Sequence, residues 1–235
     1  MRNIMVGGAF ITCLLVAVGA FGEQGTVTEN ETNTTFQVRK NFGGTPYILV
    51  GVGAREALGT INVYGGGMYL GEKQAVAAWQ AYLTGRFAKA GLVNNGQPDF
   101  AKIGTSAAGR HFMVYGRMPR CIDMSFVRDV RADQVSEAYE EAWERLSLDR
   151  AAAGEALNQF MAAVNYPVGN GQHMLIRTVG NTIFVDMPGH ATKVAGNRTL
   201  VTALWQNYFG ARPLQRPLRD GLMSKLSNLH ALVGH

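Results

Sequence analysis

The chain has 235 residues, 47% of them apolar and 17% charged, with a formal net charge of +5. This composition supports a globular domain with a sizeable core and excludes wholesale disorder. The basic excess is mild and contains no dense Lys/Arg block, which argues against a nucleic-acid stripe and is compatible with an anionic ligand or with peripheral contact at a lipid surface.

At the N-terminus Arg2 precedes an apolar run from Ile4 to Val18, and Val18-Gly19-Ala20 sets small residues at the −3 and −1 positions of a cleavage site. The pattern predicts a signal peptide over residues 1–20, and so an exported protein, periplasmic or secreted. An uncleaved anchor is the alternative, although the run is short for a spanning helix. Cleavage removes Arg2 and no acid, leaving 21 basic against 17 acidic residues and a net charge of about +4. Cys121 is then the sole cysteine, so an internal disulfide is impossible. Residues 21–35 are rich in Thr, Glu and Asn with no apolar period, which predicts a flexible leader before a single domain over 36–235.

Residues 47–54 (YILVGVGA) and 61–70 (INVYGGGMYL) are apolar, aromatic and glycine-rich runs that suit strands. Gly59-Thr60 between them fits a two-residue turn, and that turn fixes a register in which facing positions sum to 119. Arg55 then faces Tyr64 with Cβ atoms about 4.5–5.5 Å apart. A guanidinium beside a phenol on an apolar sheet is a candidate anion site, because a cation in such a setting needs compensation. The alternative is that Arg55 pairs with a local carboxylate such as Glu56 while Tyr64 is ordinary core.

Further along, Ala75, Ala78, Trp79, Tyr82 and Leu83 recur at helical spacing and predict a helix over 73–84. Residues 91–109 read as connection, with one short element near 100–103. Strand character returns at 111–115 and at 121–128, where Ile122, Met124 and Phe126 alternate with Cys121, Asp123 and Ser125. Val135, Ala138, Tyr139, Ala142, Trp143 and Leu146 mark a helix opening near Asp133, with Glu137, Glu140, Glu141 and Glu144 on its solvated side. A helix over 154–165, a hairpin of 172–178 with 182–187, and a short strand over 191–195 follow. Next comes a helix from Thr199 to Gly210, with Val201, Leu204, Trp205, Tyr208 and Phe209 on one side; a last helix spans 216–232.

Common catalytic signatures are missing. Gly51-Val52-Gly53 begins like a dinucleotide fingerprint, but Glu56 replaces its third glycine and a hairpin follows. No GK[ST], HExxH or GxSxG occurs, and no two of the five histidines stand at i, i+4, so neither a metal nor a cofactor is expected. Cys121, without a partnering motif, reads as structural. Arg55 and Tyr64 remain.

The run GVGAREALGTINVYGGGMYL resembles the bacterial chalcone isomerase-like proteins, whose signature is a glycine-rich strand ending in arginine, a turn, and a V-Y-x-x-x-L/M-Y-L strand. The resemblance continues in MSFVRDVRADQVSEAYEEAW at 124–143 and from Val194 to Leu222, and so covers most of the chain from residue 36. It implies an α+β fold, an open-faced β-sandwich in which a layer of helices covers a large antiparallel sheet and a ligand cleft lies between them. In that family, plant isomerases cyclise a chalcone without a cofactor, using an arginine, a threonine on the next strand, and a tyrosine and an asparagine near a later helix. Fatty-acid-binding relatives keep the arginine and carry tyrosine in place of the threonine. Arg55 matches the arginine and Tyr64 the threonine/tyrosine position, while Arg131 and Ala138 fall near the isomerase tyrosine and asparagine.

The resemblance therefore implies a non-catalytic protein holding a fatty acid or similar amphipathic carboxylate through Arg55 and Tyr64. Two alternatives stay open: a cofactor-free intramolecular lyase on an unknown substrate, and a structural or partner-binding protein without a small ligand.

Overall fold

The computed structural model describes residues 25–57 and 59–233. The expected signal peptide and the first residues of the expected leader lie outside that range. Strands β1 (Thr26–Glu29), β2 (Thr34–Gln37), β3 (Arg39–Phe42), β4 (Thr45–Ala57) and β5 (Ile61–Gly71) open the fold, and α1 (Glu72–Tyr82) runs on into a π turn at Leu83–Phe87. A two-residue ladder, β6 (Val93–Asn94) with β7 (Gln97–Pro98), precedes α2 (Phe100–Thr105), α3 (Ala107–Tyr115) and β8 (Arg120–Phe126). Next come α4 (Ala132–Arg145), α5 (Arg150–Val164), β9 (His173–Val179), β10 (Thr182–Met187) and β11 (His190–Val194). The chain closes with α6 (Arg198–Phe209), α7 (Arg216–Gly221) and α8 (Leu226–His230).

Seven strands form one sheet in the order β11-β10-β9-β8-β5-β4-β3, antiparallel at every pairing. Its inner face carries Ile48, Met68, Ile122, Met124, Phe126 and Ile176, packed on Trp79, Phe112, Trp143, Phe160, Trp205 and Phe209 of the helices. The outer face holds a smaller cluster of Phe36, Phe42, Tyr47, Leu49, Tyr69 and Cys121. The α+β architecture implied by the sequence is thus the observed one. The alternation in β8 sorts its side chains between two chemically different faces.

The glycines of the central hairpin follow from close approach on both faces. A Cβ on Gly51 would sit 2.3 Å from the Leu222 carbonyl carbon, and one on Gly53 would sit 2.8 Å from the Leu218 oxygen, so these glycines let α7 lie on the inner face of β4. On the outer face a Cβ on Gly65 would meet Thr34 Oγ1 at 1.9 Å, and one on Gly67 would meet the Phe36 ring at 2.6 Å. Real side chains cannot come so near without displacing a neighbour.

Several sequence expectations need correction. Residues 26–35 of the expected leader belong instead to the hairpin β1–β2, which packs its threonines and Phe36 against Gly65 and Gly67. Glu29 closes the turn of that hairpin by accepting from the Thr32 backbone N–H at 2.8 Å. Residues 111–115 are helical, because Ser106 caps α3 by accepting from the Gly109 N–H at 2.9 Å; a short apolar run does not by itself separate helix from strand.

The expected helix over 216–232 is broken into α7 and α8. A bulge in β4 between Leu49 and Gly51 takes the Val50 carbonyl out of the ladder. The Lys225 N–H, between the two helices, donates to it at 2.8 Å, and Asn228 Nδ2 donates to the Leu49 carbonyl at 3.0 Å. Backbone polar groups left by one irregularity are satisfied by another.

Candidate functional site

Arg55 does lie opposite Tyr64, although the turn differs from the expected one. The β4–β5 ladder ends at Ala57 opposite Ile61, which leaves three residues in the turn, with Gly59 at φ 75°. A second bulge, between Arg55 and Glu56, then shifts the register by one and restores the pairing that the shorter turn would have given. Next to this bulge lies the backbone of Glu56, which stays paired with Asn62. Gln215 satisfies both of its groups, donating from Nε2 to the Glu56 carbonyl at 2.8 Å and accepting from the Glu56 N–H at 3.1 Å. Arg55 Nη1 donates to the same carbonyl. The guanidinium is therefore anchored to its neighbour's backbone and not to the Glu56 carboxylate, and among the described residues it forms no ion pair.

Both residues line a cavity of about 370 Å³ between the inner face of the sheet and helices α4 and α6, a size within the range of small-molecule sites. Its sheet wall is largely apolar, with Val63, Met124, Phe126 and Met174; Val135, Ala138 and Leu214 continue the apolar lining on the other side. The polar lining is Arg55, Arg128, Gln134, Asn207 and three tyrosines, Tyr64, Tyr139 and Tyr208, with no Asp or Glu among the lining residues.

The tyrosines form a connected group. The Tyr208 hydroxyl lies 3.1 Å from that of Tyr139 and interacts with that of Tyr64. Burial pushes the Tyr64 phenol well above its ordinary pKa and the Tyr208 hydroxyl pushes it further, with the Arg55 charge opposing both. Burial likewise raises Tyr139 and Tyr208. All three phenols therefore keep their protons near neutral pH and are available as donors. Positively charged, donor-rich groups set in apolar walls without a competing carboxylate suit an anionic head joined to an apolar body.

Tyr139 and Tyr208 sit on helix stripes that read from sequence as core, and helical spacing does not single out Asn207. The available signal was polar: a phenol in place of phenylalanine on each stripe, and an asparagine amid Leu204, Trp205, Tyr208 and Phe209. The two positions expected near the isomerase tyrosine and asparagine part company. Arg131 is exposed at the start of α4, paired with Asp133 at 2.9 Å, while Ala138 lines the cavity.

Elsewhere, Cys121 is buried on the outer face, where burial and the nearby Asp123 charge push its thiol far up, so it is an unreactive core residue. Asp123 beside it is fully buried and accepts from Lys40 Nζ and from His173 Nδ1, each at 2.7 Å. No group of three potential metal ligands occurs among the described residues.

A chalcone isomerase-like family model matches residues 108–224. That range takes in the second and third of the segments that carry the sequence resemblance and leaves out the hairpin of Arg55 and Tyr64. No curated protein sequence matches the chain significantly. Among solved structures, the Arabidopsis thaliana fatty-acid binding protein AtFAP1 superposes with a TM-score of 0.64 at 18% sequence identity, over 88% of this chain and 100% of that one. At that identity the likeness is one of fold. The match in sequence over residues 108–224 and the shared sheet-and-helix architecture together support a chalcone isomerase-like family member.

Proposed function

We propose that the protein is a non-catalytic carrier that holds a fatty acid or similar amphipathic carboxylate, with the carboxylate at Arg55 and Tyr64 and the chain along the apolar walls. The observation that carries this reading is the cavity lining: an arginine free of any ion pair beside three protonated phenols, with no acid facing them. A carboxylate there accepts charge-assisted bonds from the guanidinium and a hydroxyl bond from Tyr64, while its tail covers Val63, Met124, Phe126 and Met174. The fatty-acid binding description of AtFAP1 points the same way. The apolar run from Ile4 to Val18 supports delivery of this carrier to an exported location.

The test is to extract purified protein with organic solvent and weigh bound lipid by mass spectrometry, comparing wild type with Arg55→Ala. Fatty acid in the wild type and its loss from the variant is the expected result; equal lipid, or none in either, refutes the reading.

One observation favours a second reading, a cofactor-free intramolecular lyase. Tyr139, adjacent to Ala138, brings a phenol into the cavity opposite the hairpin. That reading requires loss of chalcone absorbance above the spontaneous rate, and abolition of the excess by Tyr64→Phe.

A further inference from the structure

Asn207 is an unusual residue for its place. It lies inside α6, 2% exposed, with Leu204, Trp205, Tyr208 and Phe209 around it, and it lines the cavity. Asparagine is a poor interior helix residue, and burying its amide without partners is costly. Half of the amide is accounted for, since Arg145 Nη2 donates to Oδ1. Arginine has donors and no acceptor, so the oxygen must face Arg145 and the NH2 group must turn the other way. Among the described residues Asn207 Nδ2 donates to no protein atom, so its N–H groups are left for whatever occupies the cavity. The phenols beside it are similarly placed. Tyr139 and Tyr208 face the cavity from α4 and α6, across from the sheet that carries Arg55 and Tyr64.

We propose that Arg145 fixes the Asn207 amide as a second donor station in the cavity, selecting amphipathic carboxylates that carry a further oxygen acceptor, such as an oxo group, along the chain. This inference rests on the carboxylate reading and adds a chemical class to it. The first station holds the carboxylate, which any fatty acid supplies. The second is satisfied only by an oxygenated chain, and a plain alkyl chain leaves its donors buried and unpaired. Arg145 is a positioning residue, because it acts through Asn207 and does not itself line the cavity.

The experiment is calorimetric titration of delipidated protein with dodecanoate and with a positional series of oxododecanoates. Such ketones can accept hydrogen bonds but not donate them. Wild type is expected to bind at least one oxo isomer about tenfold tighter than dodecanoate, the scale of one buried hydrogen bond gained. Asn207→Asp retains an acceptor for Arg145 but turns oxygen instead of N–H toward the cavity, and Arg145→Met keeps the bulk of the stem while freeing the amide to flip. In both variants the oxo-to-plain ratio should fall to about one, and circular dichroism shows whether the fold is kept. The ratio is read within each variant, so a general loss of affinity does not imitate the effect. A wild-type ratio near one for every isomer, with dodecanoate bound through Arg55, overturns the second station and leaves the carrier standing. A ratio preserved in both variants also overturns it. No binding of any probe overturns both.

Discussion

Gly51→Ala places a methyl group where the chain has no room for one. The new Cβ would stand 2.3 Å from the Leu222 carbonyl carbon and 2.4 Å from the Gly221 oxygen, and both are backbone atoms that no rotamer change can move aside. Ordinary contact begins near 3.4 Å, so α7 must lift from β4 by about 1 Å. Gly66 is the control, because it faces the same side of the sheet while its nearest contact would be 3.5 Å away. Gly51→Ala is expected to cost about 3 kcal/mol, the upper end of overpacking penalties. Gly66→Ala should stay within about 1 kcal/mol, since reduced freedom of the unfolded chain offsets a mild contact. In urea, with a slope of about 2–3 kcal/mol per molar, the first change lowers the midpoint by about 1 M or more and the second barely moves it. Lifting α7 also disturbs Gln215, which holds the Glu56 backbone beside Arg55, so Gly51→Ala should weaken ligand binding as well. Equal midpoints for the two variants, or a larger fall for Gly66→Ala, would refute the close-packing account of the glycine pattern.

Tyr64→Phe removes one hydroxyl from a buried position without changing shape. It should weaken dodecanoate binding about tenfold by calorimetry, as a hydrogen bond to a charged group is lost, while changing stability by less than about 1 kcal/mol. On the outer face, burial works to raise the Asp123 carboxyl, but the His173 hydrogen bond and the Lys40 charge outweigh it and hold the pKa below the ordinary carboxylate value. A depressed folded pKa stabilises fully above the unfolded value, about 3.9, and the contribution disappears as pH falls through the folded value. Asp123→Asn should therefore be less stable than wild type by about 2–3 kcal/mol at pH 7, with the gap closing below about pH 4. Because Lys40 and His173 are partly exposed, the figure belongs at the low end for a broken buried pair. A gap unchanged between pH 7 and pH 3 in urea titrations would contradict the assignment.

Much of the fold was legible because the elements that bury one face announce it. In α4, Val135, Tyr139, Ala142 and Trp143 are buried as their spacing requires, and β8 alternates between its faces as its sequence does. The facing of Arg55 and Tyr64 was also legible, but through compensation: the turn is one residue longer than Gly59-Thr60 suggests, and the bulge at Arg55/Glu56 cancels the difference. Local sequence carries no mark of that bulge, and the side chain that bonds the Glu56 backbone beside it, Gln215, is 159 positions away. The same holds for the break between α7 and α8, which answers a carbonyl released in β4. The β1–β2 hairpin was hidden because its threonines and Phe36 pack on absent side chains, the bare faces of Gly65 and Gly67, and no apolar period results. The helix side of the cavity was hidden for a related reason: a tyrosine on a core stripe reads the same whether its hydroxyl meets solvent, another side chain or a ligand.

The carrier reading is tested most directly by a crystal structure of the protein grown with saturating dodecanoate. The account predicts elongated density along Val63, Met124, Phe126 and Met174 that ends in a carboxylate at the Arg55 guanidinium and the Tyr64 hydroxyl. A cavity holding only water under those conditions, or a chain whose carboxylate points away from Arg55, would contradict it.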